Sequence, residues 1–308
     1  MRAPIPPAPV SIRLRAVLPA ADPAGVTGAG DEPAPGSPGP VPLRPLTFRE
    51  LLDLPFALIQ ANLATLAILG GAAVVVAELV VMLLTTSVAG LTDGSDEGIG
   101  WTAALTTLAC AWMVRAVLRG TVVPVALAAA FGQRMRPRAA LAAAGTHAVP
   151  VLAAHVVFTL VGAGVLALGI LLITIPFVII WLGYLRGGRF PLPAVLYAEP
   201  VSYRDGVARA EVLTANSRWR LTGLWLLQRS LFAVLTVPLF GLARYVSDIS
   251  GTHMWPVIVL VTSMSLALVA FAEIVESCSR VVYYVDARCR REGMDILVPG
   301  APWGGRQG

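Results

Sequence analysis

The chain has 308 residues, 56% of them hydrophobic and 13% charged, with a mean hydropathy of +0.75. A soluble domain carries about 25% charged residues, so the composition excludes an ordinary soluble domain and points to a membrane protein. The net charge of +5 comes from arginine alone, since the chain has no lysine; this balance suits anionic inner-leaflet lipid, and no aromatic platform for stacking nucleic-acid bases is present.

The chain opens on MRAPIPPAPVSIRLRAVLPA, which lacks the continuous apolar core of a signal peptide. Residues 1–41 are rich in Pro, Gly and Ala and bury too little surface to offset chain entropy, which predicts a disordered cytoplasmic tail. Residues 42–298 form one transmembrane domain, and 299–308 a second disordered tail. Thr47 and Glu50 have the spacing of a capping box and open FRELLDLPFALIQAN, whose mixed charged and apolar character predicts an interfacial helix. Six stretches then reach the roughly 20 apolar residues that a span needs: 63–89, 101–131, 149–170, 176–198, 221–243 and 256–284. The expected fold class is therefore all-α: a polytopic membrane protein of six transmembrane helices with cytoplasmic interfacial amphipathic helices.

Arginine sets the expected orientation, because basic residues are retained on the cytoplasmic side. Arg44 and Arg49 precede the first span. Arg134, Arg136 and Arg138 follow the second, Arg204, Arg209, Arg218 and Arg220 the fourth, and Arg288, Arg290 and Arg291 the sixth. The opposite connections hold TDGSDEG at 92–98, a tight turn near Thr174, and RYVSDISGTHMW with only Arg244. Both termini are expected in the cytoplasm, with the chain in the cytoplasmic (plasma) membrane.

FRELLDLPFALIQAN at 48–62 and YRDGVARAEVLTAN at 203–216 share an aromatic, an arginine, an acid and a terminal Ala-Asn, and RMRPRAALAAAG at 134–145 occupies the equivalent place before the third span. Three units, each an amphipathic helix followed by a hairpin of spans, account for this layout; chance similarity among short amphipathic segments is the competing explanation. In the fourth span Pro176 and Pro193 bracket Gly183, Gly187 and Gly188. That pattern fits a broken or re-entrant segment or a kinked span whose small residues permit close packing, and the second is preferred.

The informative residues are charges inside the spans: Glu78, Arg115, Arg119, Arg186, Arg189, Arg229, Glu273, Glu276 and Arg280. Each costs about 3 kcal/mol at the bilayer centre and normally faces the bundle interior. Glu78 and Arg115 lie roughly 16 and 21 Å below the outer ends of their spans, close enough in depth to pair. Arg229 lies roughly 12 Å from the cytoplasmic end of the fifth span, at the level of Glu273 and Glu276, so an ion pair or an arginine between two carboxylates is expected. Glu276 and Arg280 are four apart on one helix. Arg119, Arg186 and Arg189 have no acidic partner at their own level in the sequence. The cluster is read either as a set of pairs that fixes helix register or as an anion site, since arginine binds phosphate and carboxylate bidentately. The terminal Tyr283, Tyr284, Asp286, Arg288, Arg290, Arg291 and Glu292 read as an inner-surface anchor with aromatic rings at headgroup level.

Other chemistry is thin. Cys110, Cys278 and Cys289 offer neither a disulfide framework nor a CxxC metal spacing. His147, His155 and His253 are scattered, and no metal site or cofactor is expected. No phosphate loop, nucleophile elbow or HExxH stands in the chain.

Three passages carry a resemblance: VPLRPLTFRELLD at 41–53, LYAEPVSYRDGVARAEVLTANSRWRLTGLWLL at 196–227, and VVYYVDARCRREGMDI at 281–296. They resemble actinobacterial integral membrane proteins of the glycerophosphoryl diester phosphodiesterase membrane-domain type. In fused relatives the phosphodiesterase chemistry belongs to a separate soluble barrel, whose His-Arg-Gly and Glu-x-Asp residues have no counterpart here. The resemblance therefore implies architecture without enzymatic activity, and an accessory role in the cell envelope beside a transglutaminase-like membrane protein and a MoxR-type ATPase. Glu273 and Glu276 depart from the mostly apolar last span of that family. The expected function is a non-catalytic scaffold or accessory subunit of an envelope system with membrane-protein partners; the alternative is a transporter or lipid-handling protein that binds an anion at the Arg/Glu cluster.

Overall fold

The computed structural model describes residues 40–170, 174–250 and 255–293. The expected tails at 1–41 and 299–308 lie outside the described residues, apart from positions 40 and 41. Every described element is helical: α1 (Phe48–Ala61), α2 (Leu63–Leu91), α3 (Asp96–Ala130), α4 (Pro137–Thr146), α5 (Ala148–Ala167) with a 3-10 turn after it, α6 (Ile175–Gly187), α7 (Leu192–Ala198), α8 (Tyr203–Thr214), α9 (Arg218–Ser250) and α10 (Trp255–Glu292). Five of these, α2, α3, α5, α9 and α10, are long and apolar enough to cross a membrane. The short helices α1, α4 and α8 each precede a pair of longer ones, which is the layout the sequence repeat implies.

The expected capping box is present. The Thr47 hydroxyl accepts from the Glu50 amide at 3.3 Å, and the Thr47 amide donates back to the Glu50 carboxylate at 2.8 Å. The Arg44 guanidinium, 2.5 Å away, and the Thr47 amide hold that carboxyl down at about 2.

The fourth expected span, 176–198, is not one helix. It divides into α6, 13 residues long, and α7, 7 residues long, around a turn at 188–191. Proline explains the break: Pro191 and Pro193 donate no amide and disfavour helical backbone before them. Buried carbonyls that the break leaves without a helical donor find side-chain donors instead. Thr214 donates to the Gly188 carbonyl at 2.9 Å and Arg280 to the Phe190 carbonyl at 3.1 Å. Gly183 and Gly187, four apart, seat α6 on α9. A methyl group at Gly187 would lie 3.0 Å from the Arg218 carbonyl, and one at Gly183 would lie 3.1 Å from Thr222 and Trp225.

A second proline has a matching remedy. Pro124 interrupts α3 and removes the amide that would bond the Gly120 carbonyl four residues earlier. The Tyr197 hydroxyl on α7 donates to that carbonyl at 2.8 Å.

α10 is 38 residues long, about 57 Å at 1.5 Å per residue, well beyond a hydrocarbon core of about 30 Å. Its halves are distributed contrary to soluble-protein habit. The polar, charged stretch Ala272 to Cys289 is buried throughout, whereas the apolar half before it is mostly half-buried or exposed. Apolar surface is tolerated against lipid tails, and the charged surface is what must be enclosed.

This burial overturns the reading of Tyr283 and Tyr284 as rings at headgroup level, while Arg290, Arg291 and Glu292 beyond them are exposed. Tyr283, Tyr284 and Asp286 are fully buried. The Tyr283 hydroxyl donates to the Leu213 carbonyl at 3.2 Å, and that of Tyr284 to Glu199 at 2.9 Å. Asp286 accepts from the Leu46 amide at 2.7 Å, from Arg220 at 2.6 Å and from Arg290 at 2.8 Å, while Arg290 also donates to the Leu46 carbonyl. Residues 41–46 thus form a strap held on α10 by its backbone, with Val41 and Leu46 buried beneath it. This puts residues 41–46 and the end of α10 at the same end of the bundle.

Asp286→Ala should leave the Arg220 guanidinium and a buried amide unpaired, destabilising the fold by about 3–5 kcal/mol. Hydrogen exchange should show the strap amides losing protection before α2 and α3 do; unchanged protection at Leu46 would sink this assignment.

Candidate functional site

Polar spacing on two helices builds the site. Arg115 and Arg119, four apart on α3, share one face, as do Glu273, Glu276 and Arg280 on α10. α3 and α10 pack along their length, so these faces meet. Arg119 clasps Glu273 with two bonds, Nε to Oε1 at 2.8 Å and Nη2 to Oε2 at 3.0 Å. Arg115 donates to Glu273 at 3.0 Å and stands 3.6 Å from Glu276. Arg229 of α9 bonds the same oxygen of Glu276, and Arg280 bonds its other oxygen at 2.5 Å.

The carboxylates are enclosed and the cations are graded. Side-chain exposure is 0% for Glu273 and 4% for Glu276, against 26% for Arg115 and 31% for Arg229. His155 of α5 closes one side: its Nδ1 lies 3.2 Å from Arg119. A guanidinium only donates, so Nδ1 is the acceptor and the ring proton sits on Nε2, which is buried without a partner. Gln228 of α9 donates to Ser279 at 2.7 Å and adds a neutral tie one turn from Glu276.

Arg186 of α6 completes the group without an ion pair or a guanidinium hydrogen bond among the described residues. Its cation rests 5.4 Å from the Trp225 ring, which Arg229 approaches at 5.7 Å. Five guanidinium groups, those of Arg115, Arg119, Arg186, Arg229 and Arg280, thus gather around two carboxylates.

Three expectations need correcting. Glu78 does not pair with Arg115: one of its oxygens accepts from the Thr262 hydroxyl at 2.7 Å and the other is buried unpaired. Depth alone suggested that pair, but rotation decides it, because α3 turns Arg115 toward α10. Arg119 does have an acidic partner, Glu273. Arg189 stands 3.8 Å from Glu211 and outside the central group. Of the two arrangements expected for Arg229, the structure shows the single ion pair, with Glu276; the arginine that lies between the two carboxylates is Arg115. The pairs Arg229 with Glu276 and Arg280 with Glu276 are as expected.

Several contributors escaped the sequence reading. Trp225 and Gln228 carry no signal beyond their helical phase with Arg229, whereas Tyr197 had one in Pro124, whose missing amide demands a donor. A second cluster joins Glu199 of the chain after α7 to Arg209 at 3.0 Å, with Arg209 also bonded to Glu292; it closes α8 onto the end of α10. Among the described residues no group of His, Cys, Asp and Glu is placed to hold a metal ion. Comparison with known protein families, with curated proteins and with solved structures finds no match for this chain.

Glu273→Gln should strand Arg119 in the core and cost about 3–5 kcal/mol, whereas Glu78→Gln keeps its acceptor for Thr262 and should cost about 1 kcal/mol or less. Melting temperatures of the two purified variants in one detergent test this ordering. Equal losses would mean that the central pairs do not hold the helices together.

Proposed function

We propose that the protein is a non-catalytic lipid-handling protein of the cytoplasmic membrane, which receives an anionic headgroup or amphiphile at the arginine-rich side of its buried charge cluster. The observation that carries this is the excess of cations: five guanidinium groups face two carboxylates, and among the described residues Arg186 makes no salt bridge. An unpaired cation within a membrane is costly, so an anion reaching it gains affinity. Both glutamates are held by arginine, which leaves neither free as a general base, and the reading contains no chemical step.

A scaffold or accessory role in a cell-envelope system is the second reading. It is supported by the exposed Arg134, Arg136, Arg138 and Arg204, which make no ion pair among the described residues and offer docking cations on or beside α4 and α8. In neutral detergent, phosphatidylglycerol should raise the melting temperature by several degrees while phosphatidylcholine leaves it unchanged. No shift, together with a stable protein partner recovered in mild detergent, would favour the scaffold.

We also infer that α6 and α7 together make a sixth, interrupted crossing and that both termini face the cytoplasm. Asp93→Cys should react with an impermeant maleimide from outside the cell and Arg204→Cys only after permeabilisation. The reverse pattern would invert the topology.

A further inference from the structure

Beside the central group, a cleft of about 290 Å³ opens between α5, α6, α8 and α9. Three arginines line it, Arg186, Arg189 and Arg218, with a single carboxylate, Glu211. Two of those arginines are uncommitted: among the described residues neither Arg186 nor Arg218 makes an ion pair or a guanidinium hydrogen bond, and Nε of Arg186 is buried without an acceptor. The third is loosely held, since Arg189 and Glu211 stand 3.8 Å apart with both side chains more than a third exposed, a geometry that contributes little.

The guanidinium groups are nonetheless fixed in place. Arg186 rests against Trp225. Arg218 lies 5.9 Å from the centre of the Tyr184 ring, and a methyl group built at Gly188 would sit 3.5 Å from its guanidinium carbon. The glycine pair at 183 and 187, by seating α6 on α9, brings these cations together. Aromatic support of this kind orients the donor forks without consuming them.

The rest of the lining is apolar, with Phe158, Val161, Leu182 and Leu185. Val161 on α5 and Leu185 on α6, both in that lining, are themselves exposed, so the apolar wall opens onto the outer surface of the bundle. Convergent arginines beside such a wall match a phosphate attached to an aliphatic chain, because several forks exceed what one carboxylate can accept while a phosphate has enough oxygens for them.

We propose that this cleft binds the phosphate of an anionic phospholipid, with Arg186 and Arg218 as its principal ligands, Arg189 at the rim, and an acyl chain lying along α5 and α6. The assignment deepens the anion-binding reading above and rests on it. Glu211 competes for Arg189 and would be displaced from it on binding.

The test uses the full chain in nanodiscs of phosphatidylcholine with a minor fraction of phosphatidylglycerol, and native mass spectrometry to count retained phosphatidylglycerol. Arg186→Gln and Arg218→Gln should each weaken retention about 10- to 100-fold, the loss of a charge-assisted hydrogen bond. Gly188→Val, which narrows the cleft beside Arg218 while leaving every charge, should weaken it as well. None of the three strands a buried carboxylate, so their melting temperatures in lipid-free detergent should stay near that of the parent.

Retention undiminished in both arginine variants but lost in Arg229→Gln would move the ligand to the central group, overturning the cleft and leaving anion binding intact. No preference of the parent for phosphatidylglycerol over phosphatidylcholine would overturn both. Displacement of the lipid by glycerol 3-phosphate or inorganic phosphate at the same concentration would show that the chain contributes nothing, and would overturn the lipid assignment in favour of a soluble phosphate ester.

Discussion

Two carboxylates that cannot be left alone organise this bundle. Glu273 and Glu276 stand on the longest helix in a medium that does not solvate them, and their desolvation is offset only if guanidinium groups arrive from α3 and α9 with good geometry. That requirement fixes the rotation of α3, which must turn both Arg115 and Arg119 inward, and the depth of α9, which must bring Arg229 level with Glu276. Apolar packing alone discriminates poorly between rotations in lipid. Ion pairs do discriminate, because α3 turned by one residue would present Val114 and Leu118, or Ala116 and Gly120, where cations are needed.

The same medium governs the backbone. At Pro124 and at the break between α6 and α7 a carbonyl is left without its helical donor, and the fold answers with a side chain from a distant element: Tyr197 for the carbonyl that Pro124 orphans, Arg280 and Thr214 for those at the break. Arg280 therefore serves two elements, bonding Glu276 on its own helix and Phe190 on the broken one. The break and the charge cluster are one arrangement, and it is this arrangement that turns Arg186 and Arg189 toward α8 and α9 and leaves room for the cleft between them.

Helix existence, the three short helices and the charges of the central group were legible in the sequence, because each rests on local composition or on spacing along one helix, whereas the burial of Glu199, Asp286 and Arg288 was not. The pairing of Glu276 with Arg280 is a matter of four residues, and that with Arg229 of equal depth. Partner choice between helices was legible only where one candidate existed. Glu78 and Arg115 agree in depth, yet the structure gives Arg115 to α10 and leaves Glu78 with Thr262, a choice made by rotation angles that depth arithmetic does not contain. The terminal tyrosines were misplaced for a different reason: Tyr followed by Arg is also how a membrane-surface belt reads, and only the docking of the strap, α8 and α9 around α10 turns the same residues into core.

The strap has a consequence for how the molecule is made. Leu46 is fastened to a residue 240 positions later, so at about 5–20 residues per second of synthesis it waits on the order of tens of seconds for its partner. Arg119 waits as well, since Glu273 lies 154 positions beyond it. During that interval a hairpin of α2 and α3 carries uncompensated arginine, and the strap at 41–46 is without its partner. Assembly is thus closed from α10 backward: its arrival neutralises the core and fastens the strap in one event, and a chain truncated before it would present the insertion and quality-control machinery with stranded charge.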